Sequence, residues 1–192
     1  MKVYAKISVL GVKPLLFHTF PMDTLTPGKA KSGTAGRCEQ EWKSTVLMMA
    51  DRQLYILGSY PVASIKHGGK LIKVGKSSML KKVESCLECS YNKILIDNRF
   101  VPEEKDLTTD ETQDVYLDVR SVVNPMTKGR NLRYRIAAKA GWTFITVISW
   151  DDGALSSETI RQCIDNGGTY EGVGDGRRIG FGRYKCTNFE LV

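Results

Sequence analysis

The sequence predicts an α+β fold, a four-stranded antiparallel sheet with two helices on one face. Three observations lead there. Segments of alternating apolar and polar residues open and close the chain. Two helix-like segments, each opened by serine and closed by paired glycines, lie between them. With insertions set aside, the order is strand, helix, strand, strand, helix, strand. The 192 residues and 42% hydrophobic content suffice for a core, which separates the chain from disordered sequences.

In KVYAKISVL, Val3, Ala5, Ile7 and Val9 point to one side and Tyr4, Lys6 and Ser8 to the other, a half-buried strand. PLLFHTF follows, and then a stretch rich in Gly, Thr, Lys and Pro that predicts a mobile loop over 21–36. STVLMMADRQLYIL reads as a strand, a turn at Asp51-Arg52 and a returning strand. GSYPVASIKHGGK reads as the first helix, with Ser59 as N-cap, Pro61 in the first turn and Gly68-Gly69 as the stop. The irregular region from about 70 to 112, with short strand-like runs such as KILI and a polar, acidic tract, predicts an insertion.

VYLDVRSVV places Val115, Leu117 and Val119 on one face and Tyr116, Asp118 and Arg120 on the other. NPMTKGRN has the composition of a hairpin tip, with Pro125 and Gly129 as turn residues, so a hairpin thumb is predicted over about 120–136. The chain returns through LRYRIAAKAG into WTFITVISW, apolar on both faces and therefore read as a central, covered strand. SSETIRQCIDNGG is the second helix, with Ser156 as N-cap, Ile160 and Ile164 on one face and Gly167-Gly168 at its end. FGRYKCTNFELV is the last strand. The whole, residues 1–192, reads as a single domain with a ferredoxin-like (RRM-like) βαββαβ antiparallel sheet, a long hairpin and an insertion. In RNA-recognition modules of that arrangement the open sheet face binds single strands.

The formal net charge is +7, which favours an anionic partner. From Arg52 to Val83 there is no acidic residue, while Lys66, Lys70, Lys73, Lys76, Lys81 and Lys82 all fall there. A second basic group holds Arg120, Lys128, Arg130, Arg133, Arg135 and Lys139. Such segregation predicts a basic face. Five scattered cysteines do not make a disulfide framework. The lone pair Cys86 and Cys89 would need two more zinc ligands, and no second pair stands at ligand spacing, so no metal and no cofactor is expected. No apolar run reaches membrane-spanning length and no signal-peptide cleavage pattern follows the start, so a soluble, cytoplasmic protein without membrane contact is expected.

The densest feature is EGVGDGRRIGFGRY. A Rossmann or Walker loop runs strand, glycines, helix; here a helix precedes and a strand follows, which argues against a nucleotide cofactor. The spacing is Gly-hydrophobic-Gly, five residues, Gly-hydrophobic-Gly: Gly172-Val173-Gly174, then Gly180-Phe181-Gly182. Pattern and position resemble the glycine-rich loop of the RAMP superfamily, the RNA-binding proteins of CRISPR systems. LYILGSYPVASIK is similar to the family segment that ends a strand in Ile-Pro-Gly-Ser-Ser; Ile56, Gly58 and Ser59 keep it, Leu57 replaces the proline, and Lys66 stands for its basic residue. VRSVVNPMTKGRNLRYRIAAKAGWTF is similar to the thumb hairpin of crRNA-binding backbone subunits, with Gly141 and Phe144 at the start of the third strand.

The resemblance implies single-stranded RNA or DNA as partner, copies of the chain packed as an oligomer or filament along the strand, and other effector-complex subunits alongside. The residues expected to meet the strand are Lys66, Arg120, Lys128, Arg130, Arg133, Arg135, Gly174, Gly176, Arg177, Arg178 and Gly180, through backbone N–H groups and charge-assisted contacts. Two alternatives stand beside this reading. One is a RAMP-type endoribonuclease using His18 as acid or base, or Asp23, since an aspartate in that loop supports metal-dependent cleavage in the family. The other is an interaction or assembly protein whose basic face meets an acidic protein.

Overall fold

The computed structural model describes residues 1–20, 39–123, 126 and 128–192; the loop predicted over 21–36, with Asp23, and the turn residue Pro125 lie outside the described residues. The elements in chain order are β1 (Lys2–Gly11), β2 (Leu15–Phe17), α1 (Glu41–Thr45), β3 (Gln53–Leu57), α2 (Ser59–Gly68), β4 (Lys73–Val74), β5 (Ser77–Ser78), α3 (Leu80–Cys86), β6 (Glu88–Cys89), β7 (Lys93–Phe100), β8 (Val115–Val123), β9 (Arg130–Ala138), β10 (Thr143–Asp151), α4 (Ser157–Asn166) and β11 (Tyr184–Leu191). The fold is α+β with antiparallel sheets, consistent with a ferredoxin-like fold.

The alternation of the first strand does what it predicts. Ala5, Ile7 and Val9 are buried, facing Phe144, Ile148 and Trp150 of β10 in one core cluster. β1 lies between β10 and β11, both antiparallel to it, in a sheet of order β11-β1-β10-β6. Helices α2 and α4 bury Ile65, Ile160, Cys163 and Ile164 in the same core. They cross so closely that a Cβ on Gly68 would strike the Cys163 carbonyl, which is why glycine ends the first helix. Ser156 caps α4, its hydroxyl accepting from the Thr159 N–H at 3.2 Å. After Asn166 the chain does not stop at its glycines but widens into a π-turn over Gly167–Glu171. Ser59, read as the cap of α2, is its first helical residue, and Gly58 holds the cap position.

Residues 44–49, read as a strand, instead end α1 and make only an isolated bridge from Met48 to Leu54. Three further features differ from the expectation. The strand 115–123 does not join the main sheet; β8 pairs with β9, and β9 with β2, in a separate sheet. The place beside β10 is taken by two residues of β6, so residues 70–112 contribute a sheet edge, α3, and β7, which pairs with β3. Periodicity marks a segment as a strand without naming its partner, and a two-residue edge carries no period. Second, β10 is central but not covered on both faces, because Ile145 is 51% exposed. Third, β8 is covered on both faces at its start: Val115 and Leu117 join the main core as their period predicts, but Tyr116 and Asp118 on the polar face are buried too, while Val119 is exposed. The cover of the polar face is the glycine loop.

Candidate nucleic-acid interface

The glycine loop, between the π-turn and β11, folds back on itself and on β2. Val173 N–H donates to the Gly182 carbonyl, Asp175 N–H to Leu16, and Gly182 N–H to Pro14, at 2.8–2.9 Å. Phe181 then packs on Leu16, Tyr116 and Ala137, a small second core on the face of the β2-β9-β8 sheet. At Gly182, with φ 68°, a Cβ would run into the Val173 carbonyl; at Gly174, φ 76°, it would lie 2.5 Å from Leu15 Cδ1. These glycines are therefore required by the loop's own packing. Gly180, φ 95°, faces open space. The loop N–H groups without a backbone partner among the described residues are those of Gly174, Gly176, Arg177, Arg178 and Arg183. Unpaired N–H groups of a turn are the kind of donor that binds anions.

Arg177 and Arg178 sit in a single 3₁₀ turn, Arg177–Ile179, the second of them exposed. With His67 and Lys70 from the end of α2, Tyr170 and Glu171 from the π-turn, and Arg183, they line a cleft of about 460 Å³. Four fixed cations face one carboxylate there, and Glu171 lies 3.8 Å from His67. Arg183 donates through Nη2 to the Arg177 carbonyl at 3.2 Å, and its Nη1 is buried without a partner among the described residues. Like charges gathered around a recess repel one another and gain from an anion between them.

The hairpin arginines divide. Arg135 is 3% exposed, its guanidinium bound to Asp118 and to Asp175 at 2.9 Å each. It pins the glycine loop to β8 and β9, and burial withdraws it from the expected contact set: both Nη atoms are held by carboxylates and Nε is buried without a partner among the described residues. Arg133 gives Nη1 to Glu41, whose other oxygen accepts from the Tyr134 N–H at 3.3 Å. Arg120 donates to Asp118 at 2.5 Å and to Glu111 at 3.2 Å, and its guanidinium lies over the Phe181 ring at 4.9 Å. Lys128 and Arg130, at the far end of the hairpin, are exposed and have no ion pair among the described residues. Lys66 is half-buried on α2 and does not line the cleft; its neighbours His67 and Lys70 do.

His18 follows β2, with Nε2 3.4 Å from Glu41 Oε1. Glu41 is thus shared by His18, Arg133 and Tyr134, tying α1 to β9. Among the described residues no group of three or more His, Cys, Asp or Glu is placed to hold a metal. Sequence reading missed Glu41, Asp118 and Asp175 as arginine partners, and Lys70, Tyr170 and Arg183 as walls of the cleft. Lys70 carried a signal, lying in the acid-free run, and Arg183 follows the last loop glycine directly.

Fold and site define a class: an antiparallel α+β protein with its cations gathered where a glycine loop meets the end of a helix. No protein-family profile matches the sequence, and no curated protein matches it. Among solved structures, the chain is similar to a chain of the cryo-EM structure of the Type III-B Cmr-beta bound to cognate target RNA, at 10% identity and a TM-score of 0.60, covering all of this chain. It spans 61% of the length of that chain. It is also similar to Cmr6 from Pyrococcus furiosus, at 10% identity and a TM-score of 0.49, covering 97% of this chain and 98% of that one. The first of these likenesses is one of fold, shared along the whole of this chain with a chain of the Type III-B Cmr-beta structure. Among the described residues no helix is long and apolar enough to cross a membrane.

Proposed function

We propose that the protein binds single-stranded nucleic acid along its phosphate backbone, as a repeating subunit of a ribonucleoprotein or filament. One observation carries the reading: Lys70, Arg177, Arg178 and Arg183 converge on a single cleft beside unpaired loop N–H groups. Phosphate contacts of this kind hold a strand without reading its sequence. The β8–β9 hairpin serves as a thumb, offering Lys128 and Arg130 to the strand, and further copies of the chain pack along it. The fold neighbour's complex holds target RNA, which makes RNA the first probe.

Anisotropy titrations of labelled single-stranded RNA over a range of salt test this. Each phosphate neutralised contributes about 0.7 to the log–log salt slope of a single strand. Replacing both Arg177 and Arg178 by Glu is expected to weaken binding by roughly tenfold or more and to lower the slope by about 1 to 2. Affinity that does not change with salt, or a double variant that binds like the wild type, would overturn the reading.

A further inference from the structure

A second cavity, of about 330 Å³, opens where the glycine loop crosses the root of the β8–β9 hairpin. Its walls include Pro14, Tyr116, Arg120, Ile179 and Phe181, with the exposed Glu111 beside them. Arg120 is fixed there as a plane. Asp118 holds Nε at 2.5 Å, Glu111 holds Nη2 at 3.2 Å, and Phe181 lies under the guanidinium at 4.9 Å. A guanidinium whose charge is already met by two carboxylates is a poor anchor for a phosphate. It remains a good stacking surface, as Arg planes are for unpaired bases.

Beneath it Tyr116 is 1% exposed, and its hydroxyl has no hydrogen-bond partner among the described residues. Burial, with Glu111 and Asp118 nearby, pushes this phenol up to about 12, so it keeps its proton and can donate. An unpartnered buried hydroxyl is disfavoured, and a ligand acceptor that reaches it relieves that penalty. Glu111, 67% exposed, can turn aside to open the site while Asp118 and Phe181 keep Arg120 in place. Ile179, 67% exposed, adds apolar surface. A flat ring with an acceptor on its edge uses every one of these features; an aliphatic group would leave the hydroxyl unmet.

We infer that this cavity receives one nucleobase of the bound strand, stacked on Arg120 with a ring acceptor on the Tyr116 hydroxyl. The inference rests on the nucleic-acid reading above and adds a base-dependent increment to binding that is otherwise directed at phosphates.

The test compares wild type and Tyr116→Phe on labelled oligouridylate and on an abasic strand of equal length, at fixed salt. Phe keeps the ring and removes only the hydroxyl, so the variant is expected to melt no lower than the wild type. The wild type should favour the base-bearing strand by roughly tenfold. Tyr116→Phe should lose about fivefold on oligouridylate and nothing on the abasic strand. Equal losses on both strands, no loss on either, or a lower melting temperature would overturn the base pocket while leaving phosphate binding intact. If the wild type binds neither strand, the nucleic-acid reading itself falls. Free uridine monophosphate is included as competitor and is expected not to displace the strand. Displacement at concentrations near the strand's own dissociation constant would assign the cavity to a mononucleotide instead.

Discussion

At the scale of single residues, charge in the sequence and charge on the surface are different things. Arg120, Arg133 and Arg135 look alike in LRYRIAAKAG and the strand before it, yet their fates differ by burial. Arg135 meets Asp118, 17 positions back, and Asp175, 40 positions on. Nothing local in the sequence marks those partners, because the pairing is made by strand register and by a loop from the other end of the chain. Arg135→Ala would leave Asp118 buried with half its partners, and removing one member of a buried pair costs about 3 kcal/mol. Urea unfolding should show a loss of that order, whereas Arg130→Ala should leave the midpoint unchanged and weaken RNA binding. Comparable stability losses in the two variants would contradict this division. Arg177 and Arg178 were legible from sequence because glycines on both sides of a basic pair leave few other places for the charge to go.

Among elements, the glycine loop is where sequence and structure inform each other most. Its spacing was visible and suggested close approach to an anion, but more than half of its N–H groups are already bonded within the protein. Val173 and Gly182 bond across it, Asp175 ties it to β2, and Gly182 ties it to Pro14 just before that strand. Its glycines are consequently unequal. Gly182→Ala forces a Cβ into the Val173 carbonyl, so the loop must open and Phe181 leaves Leu16, Tyr116 and Ala137. Gly180→Ala meets no atom within 4 Å and carries only the strain of a positive φ, about 1 kcal/mol. Thermal melts should therefore separate the two, Gly182→Ala falling by several degrees more; equal shifts would mean the loop tolerates displacement of its crossing. The long strands were legible from their period and α4 from its cap, but STVLMM, apolar enough to read as a strand, is not one. Sheet membership was not, since β8 and β10 read equally well as neighbours in one sheet.

Across the whole molecule, the buried interior contains groups that ionise only at high pH while the chain is folded. Burial pushes the Cys163 thiol, set where α2 crosses α4, from 9.0 up to about 11, and raises Cys186 as well. Burial likewise raises Tyr60 and Tyr184, and Tyr116 from 10.0 to about 12. All five shifts run in the same direction. In each, the folded state holds its proton to higher pH than the unfolded chain, so these groups' contribution to stability is complete below about pH 9 and is lost as pH climbs through 11 and 12. For Cys163 alone, the rise from 9.0 to about 11 corresponds to about 3 kcal/mol. Lysine deprotonation acts the other way, relaxing the self-repulsion of a chain that carries +7 at neutral pH. The melting temperature is thus expected to hold between pH 7 and 9 and to fall between 9 and 11, with a shallower fall in Tyr116→Phe, which has one proton fewer to lose. A melting temperature that stays level or rises across that upper interval would show that surface charge, not the sealed core, governs the alkaline limit of this fold.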